Sequence, residues 1–257
     1  MIRITGTLII LLSLSVILFN SCTKESGSSA SSDSLALGAG GTGTTGSLSR
    51  FVIVGNYLYA VDMQNLNIFN ISDPANTSKV ATQPIGFDIE TIFPYGDKLF
   101  IGSSAAMYIY SLANPAEPQR LSSVSHLRSC DPVVANDTIA YVTLRAGTRC
   151  FGNLNALLVY KINNIANPVQ VMQVNMDNPY GLGYSGNALY VCDGQNLRVF
   201  DISNGATPIA KPSINTTEKF YDVIPYGNLL ICYIDKGVSF YNITNRLAPV
   251  FLSKLTN

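Results

Sequence analysis

From residue 50 onward, short runs of β-branched, aromatic and aliphatic residues alternate with polar positions, and no 3.6-residue apolar period is sustained. Gly, Asn, Asp and Pro separate the runs, so the pattern predicts strands joined by turns. The runs also repeat. Gly55-Asn56-Tyr57-Leu58-Tyr59 returns as Gly96-Asp97-Lys98-Leu99-Phe100, Asn136-Asp137-Thr138-Ile139-Ala140, Gly186-Asn187-Ala188-Leu189-Tyr190 and Gly227-Asn228-Leu229-Leu230-Ile231. The marker residues Leu58, Leu99, Ile139, Leu189 and Leu230 are spaced 41, 40, 50 and 41. The Gly-Asn, Gly-Asp and Asn-Asp pairs tolerate positive φ, which predicts a type I′ hairpin turn in each repeat.

A second marker follows the first at 13 residues in four repeats (Ile71, Leu112, Ile202, Ile243) and at 23 in the third (Ile162), where ten residues are inserted. Six residues beyond it stands Pro118, Pro168, Pro208 or Pro249, with Thr77 in the first repeat. A proline there ends one strand and fixes the turn into the next. Each unit therefore reads as four strands in about 41 residues, the size of a propeller blade. One such blade cannot bury both its faces, whereas five stacked radially can. The expected fold is all-β, a five-bladed β-propeller of four-stranded antiparallel blades over residues 49–257.

The preceding residues read differently. Met1-Ile2-Arg3 is a short basic start, and Leu8 to Phe19 is an apolar run of 12 residues. That is too short to span a bilayer, which takes about 20 apolar residues, and it fits the core of a signal peptide over residues 1–21. The run closes on Asn20-Ser21-Cys22, which resembles the lipobox of bacterial lipoproteins. The resemblance implies cleavage before Cys22 and lipidation of its thiol and amine, palmitate being a usual acyl group. Two or more chains suffice for stable anchoring. Residues 23–48 are rich in Ser, Gly and Thr. They make a flexible tether with an r.m.s. span of roughly 28 Å.

The third-strand words Leu66-Asn67-Ile68-Phe69-Asn70-Ile71-Ser72-Asp73-Pro74 and Leu197-Arg198-Val199-Phe200-Asp201-Ile202-Ser203 resemble the LVIVD repeat, found in bacterial and archaeal surface or secreted propellers. The motif's Asp survives only as Asp201, being Asn70, Ser111, Lys161 and Asn242 elsewhere. The resemblance implies the fold and an exported location. It carries over no catalytic residue. With the lipobox it places the chain in the cell envelope, anchored in a membrane, the outer one expected.

Composition narrows the chemistry. Charged residues are 12% of the chain and the formal net charge is zero. No basic block exists, so the electrostatic footprint of a nucleic-acid binder is missing. A single His (His126) leaves no His-rich metal site and only one residue for a Ser-His-Asp arrangement. No cofactor motif is present.

The third repeat departs most from the others. Cys130 precedes its first strand and Cys150 lies in the insertion. In a blade those two places share a face, so an oxidising envelope should pair them. The pinned loop would carry Arg145, Arg149, Phe151 and Asn153. The same face should present the residues around the first-strand starts: Arg50, Glu90, Thr91, Asp131, Tyr180, Tyr221 and Asp222, with Asp88 and Asp177 nearby. Loops on a rigid scaffold are the usual place for binding. Cys192 and Cys232, in neighbouring blades, are expected as buried apolar residues, a second disulfide being the alternative.

These features give three functional expectations. The first is a membrane-anchored, non-enzymatic binding or scaffolding module facing an envelope protein or glycan. The second is a propeller enzyme acting on polysaccharide, which needs two facing carboxylates. The third is a structural envelope protein without a ligand.

Overall fold

The computed structural model describes residues 46–125, 132–147 and 153–256. Cys22, the signal stretch and the tether up to residue 45 lie outside the described residues, as do His126, Cys130, Asp131, Arg149, Cys150 and Phe151. The described residues form twenty β-strands in five four-stranded sheets, each antiparallel and each in chain order.

Blade 1 is β1 (Phe51–Val54), β2 (Tyr57–Val61), β3 (Asn65–Asn70) and β4 (Ser78–Pro84). Blade 2 is β5 (Ile89–Tyr95), β6 (Lys98–Ser103), β7 (Ala106–Ser111) and β8 (Gln119–Ser125). Blade 3 is β9 (Val133–Ala135), β10 (Ile139–Leu144), β11 (Ala156–Lys161) and β12 (Val169–Asn175). Blade 4 is β13 (Pro179–Ser185), β14 (Ala188–Asp193), β15 (Asn196–Asp201) and β16 (Ile209–Asn215). Blade 5 is β17 (Phe220–Tyr226), β18 (Leu229–Ile234), β19 (Gly237–Asn242) and β20 (Val250–Thr256). The five-bladed propeller expected from the repeats is what the chain forms.

The local reasons follow the sequence. Pro118, Pro168, Pro208 and Pro249 each stand one residue before a fourth strand, with Thr77 before β4. In every blade the pairing of third and fourth strands slips by a β-bulge, as between Ile68 and Phe69 or Phe240 and Tyr241, which adds local twist. The first turn differs from the expected type I′. Val54 pairs with Tyr57, so Gly55-Asn56 is a two-residue loop. Gly55, Gly96, Gly186 and Gly227 have φ of 57°, 57°, 55° and 58°, while the Asn or Asp after each has no positive φ. That is the type II′ arrangement, which needs glycine only at its first central position. In blade 3 Ala135 pairs with Ala140 across a wider turn, closed by the Asn136 N–H donating to the Ile139 carbonyl.

The core lies in the seams between blades. One apolar cluster joins blades 1 and 2 around Tyr59, Leu66, Ile92 and Leu99. A second joins blades 2 and 3 around Phe100, Ile109, Val142 and Leu158. A third joins blades 3 and 4 around Tyr141, Val159, Leu189 and Phe200. The last joins blades 4 and 5 around Tyr190, Val199, Val223 and Tyr241. One second-strand position recurs as a latch. The Tyr59 hydroxyl donates to the Pro115 carbonyl at 2.8 Å, Tyr141 to Gly205 at 2.9 Å, and Tyr190 to Arg246 at 2.8 Å. Each bond ties a blade to the loop before the next blade's fourth strand and satisfies a phenol that would otherwise be buried without a partner. Burial pushes all three phenols well above their ordinary value. Blades 2 and 5 carry Phe100 and Ile231 at this position. Cys192 and Cys232 are free and buried, as expected of small apolar residues, and burial raises both thiols.

Candidate functional site

Five blades bring one band of side chains together at the starts of the first strands. Arg50 lies just before β1, and its Nη2 donates to the Ile89 carbonyl at 3.1 Å. Glu90, the second residue of β5, is half-buried. Burial raises its carboxyl, and the neighbouring Arg145 and Arg50 charges oppose that shift. Arg145 follows β10 and stacks on Tyr180 of β13, with the guanidinium carbon 4.0 Å from the ring centroid. Tyr180 meets Tyr221 of β17 edge-on at 5.1 Å. Tyr221 meets Tyr233 of β18 at 5.5 Å. The band thus runs Arg50, Glu90, Arg145, Tyr180, Tyr221, Tyr233, with a contribution from every blade.

The backbone fixes this order. Tyr180 is held by the Thr143 hydroxyl, which donates to its carbonyl at 2.7 Å. Tyr221 sits where the β17–β18 register slips between Phe220 and Asp222, so it is displaced from the regular alternation. Ahead of β13, the buried Asp193 carboxylate accepts from the Asp177 N–H at 3.0 Å and the Asn178 N–H at 2.6 Å, and Arg198 pairs with it at 3.4 Å. Asp88 holds φ of 51°, a left-handed conformation that Asp tolerates better than most residues, and the Ser104 hydroxyl donates to its carboxylate at 3.2 Å.

Asp222 does other work. Its carboxylate accepts from the Ser47 hydroxyl at 3.3 Å, from the Leu48 N–H at 3.4 Å and from the Val223 N–H at 2.9 Å. Ser47 in turn accepts from the Leu182 N–H at 2.7 Å, and the Ser49 carbonyl accepts from the Ile92 N–H at 2.9 Å. Residues 47–49 therefore form a strut from blades 4 and 5 to blade 2. Burial pushes the Asp222 carboxyl up to about 6, against the opposing pull of its hydrogen bonds.

Of the residues singled out in the sequence, Glu90, Arg145, Tyr180 and Tyr221 come together, with Arg50. Asp222 faces the strut. Asp131, Arg149, Cys130 and Cys150 lie outside the described residues. Tyr233 joins the band without having been singled out. Its only sequence signal is the strand alternation that turns it away from buried Cys232. Among the described residues no group of three or more His, Cys, Asp or Glu is placed to hold a metal.

Among the described residues, two further cavities stand out elsewhere. One of about 390 Å³ sits in the 2/3 seam, lined by Tyr95, Lys98, Phe100, Asp137, Ile162 and Ile165, with the Tyr95 hydroxyl donating to Asp137 at 2.6 Å. It is the packed seam in which the tyrosine latch is replaced by phenylalanine. The other, of about 210 Å³, lies in blade 5 between Glu218, Phe220, Tyr241 and Lys254.

Sheet order, blade packing and loop placement define this protein as a β-propeller. The LVIVD repeat model matches residues 45–81 and 182–216, so blades 1 and 4 carry LVIVD repeats. No curated protein matches it. Several solved structures share the fold. A functionally unknown protein from Desulfotomaculum acetoxidans is 11% identical with a TM-score of 0.68, over 81% of this chain and 69% of that one. The periplasmic gluconolactonase PpgL of Pseudomonas aeruginosa is 13% identical with a TM-score of 0.61, over 79% of this chain and 68% of that one. BamB from Moraxella catarrhalis is 8% identical with a TM-score of 0.53, over 80% of this chain and 63% of that one. At these identities the likeness is one of fold alone.

Proposed function

We propose that this propeller is a non-enzymatic binding module of the bacterial cell envelope. Its lipid anchor is Cys22, and the band from Arg50 to Tyr233 docks a protein partner. The observation that carries the reading is the unbroken run of ring contacts Arg145–Tyr180–Tyr221–Tyr233. Tyrosine and arginine are the side chains that most often dominate protein interfaces, because they offer large rigid area with a polar end. The band extends across five blades, which suits an extended protein footprint better than a single sugar ring.

The chemistry of the carboxylates favours binding over hydrolysis. Asp222 has a raised pKa of the kind a general acid needs, but its oxygens are engaged by Ser47, Leu48 and Val223. Glu90 is raised chiefly by burial, but the adjacent Arg145 and Arg50 charges pull it the other way.

The test is affinity capture from native envelope with the tagged full chain, compared with Tyr221→Ala and Arg145→Ala. A protein captured by the parent chain and at least tenfold depleted with either variant supports the proposal. Equal capture by all three, or recovery only of glycan, overturns it.

A further inference from the structure

Three seams close with the tyrosine latch, and the seam between blades 2 and 3 has every part of it but the hydroxyl. In blade 3 the loop before β12 runs Ile162-Asn163-Asn164-Ile165-Ala166-Asn167-Pro168, the counterpart of residues 112–118, 202–208 and 243–249. The four loops share one turn. The Asn167 N–H donates to the Asn164 carbonyl, as Glu117 does to Asn114, Thr207 to Asn204 and Ala248 to Asn245. Ile165 therefore stands where Pro115, Gly205 and Arg246 stand, and those three carbonyls accept the hydroxyls of Tyr59, Tyr141 and Tyr190. Blade 2 supplies Phe100 here, which has no hydroxyl to give. Among the described residues no hydrogen bond is donated to the Ile165 carbonyl.

The space at this place is the cavity of about 390 Å³, a size that small-molecule sites occupy. It lies at the far ends of the strands from the band. Its walls come from the β5–β6 and β9–β10 turns and the loop before β12, whereas the band sits at first-strand starts. Buried Phe100 and Ile162 give it an apolar floor, beside Ile165 and the Tyr95 ring. Asp97, Lys98, Asn136, Asp137 and Asn163 give it a polar rim. Charge decides the class of occupant. The rim holds both signs, with Lys98 paired to Asp97 and Asp137 bonded to Tyr95, so a ligand of either charge meets a like charge. A neutral ligand with a single hydroxyl would reach Ile165 and leave the rim amides and carboxylates desolvated. A ring with several hydroxyls answers both demands. It lays an apolar face on the floor, gives one hydroxyl to the Ile165 carbonyl and turns the others to the rim. The Asn136 Oδ1 already accepts from the Ile139 N–H at 3.1 Å, so its NH2 group is the donor it has to offer.

We infer that this cavity is a second binding site, for a neutral monosaccharide unit, at the strand ends away from the docking band. A hydroxyl of the sugar takes the place of the missing latch phenol on Ile165. The site shares no residue with the band and does not rest on the proposed docking role.

The test is saturation-transfer NMR on the full chain in a detergent without a sugar headgroup. Glucose, galactose, mannose and N-acetylglucosamine are offered singly, each also as its methyl glycoside, with phenol as the single-hydroxyl control. The expected result is transfer to at least one of the sugars, with a millimolar or tighter dissociation constant, weakened at least tenfold in both Phe100→Tyr and Asp137→Ala. Phe100→Tyr restores the latch hydroxyl, so its melting temperature should not fall below the parent's. Asp137 is exposed, so its truncation should leave the fold intact as well. Tyr221→Ala should bind the sugar as the parent does, which separates this site from the docking band. Transfer to a free sugar and not to its glycoside marks a soluble sugar as the ligand, and transfer to a methyl glycoside marks the end of a glycan chain. Both results support the site. No transfer to any of the sugars, transfer to phenol alone, or transfer undiminished in either cavity variant overturns the inference.

Discussion

At the scale of single residues, Asp222 and the tyrosine latches make the sharpest claims. Asp222 is raised from 3.8 to about 6 by burial. Its folded-state value therefore lies above its unfolded one. Protonation is favoured by folding, so the stabilisation is complete below the unfolded value and is lost as pH rises through about 6. The rise corresponds to roughly 3 kcal/mol at most. Glu90 shifts in the same direction. Asp73, Asp97 and Asp201 are held below their ordinary value, first by side-chain hydrogen bonds, and oppose the trend only at lower pH. The domain should accordingly melt at a higher temperature at pH 5 than at pH 7.5, and Asp222→Asn should flatten that difference. An unchanged slope in Asp222→Asn, measured by calorimetry, would refute the assignment. For the latch, Tyr190→Phe leaves the Arg246 carbonyl without its donor and should cost about 1–2 kcal/mol in a denaturant titration. Phe100→Tyr, at the seam that has a cavity beside Ile165, should be neutral or gain up to ~1 kcal/mol.

At the scale of strands and turns, much was legible and some was not. The marker spacing and the Pro positions located all five blades because a period-2 pattern, a tight turn and a missing N–H are each written in one or two residues. The turn type was not legible. A Gly-Asn pair suits both I′ and II′ geometry, which differ in the ψ of the first central residue and the φ of the second. Glu90, Arg145, Tyr180 and Tyr221 were legible as a shared face because first-strand starts and second-to-third-strand loops lie on one side of a blade. Tyr233 was not, because it reaches the band from a second strand, and its neighbour Tyr221 is displaced by a bulge that leaves no mark in the sequence. The partnership of Asp222 with Ser47 was equally hidden, since 175 positions separate the two residues. At this scale the two buried thiols give another test. Cys192 and Cys232 are buried and raised. Neither should react with a maleimide in the native fold, and both should react once the domain is unfolded. Labelling of either residue in folded protein, read by peptide mass, would contradict the buried assignment.

At the scale of the whole molecule, the repeat explains the stability. Each blade is stabilised by its neighbours, and the periodicity that reveals the blades makes inner and outer ones look alike. The anchor belongs to this scale as well. Cys22→Ala should move the chain from the membrane fraction to the soluble envelope fraction, and retention in the membrane would rule out the anchor. The central claim is that the band from Arg50 to Tyr233 is the surface the envelope covers. Hydroxyl-radical footprinting of the full chain, compared between intact envelope and purified protein, tests it whatever the partner is. Tyr180, Tyr221 and Tyr233 should be several-fold less modified in the envelope, with Tyr57 and Tyr108 unchanged. Equal modification of the three band tyrosines in both states would contradict the claim.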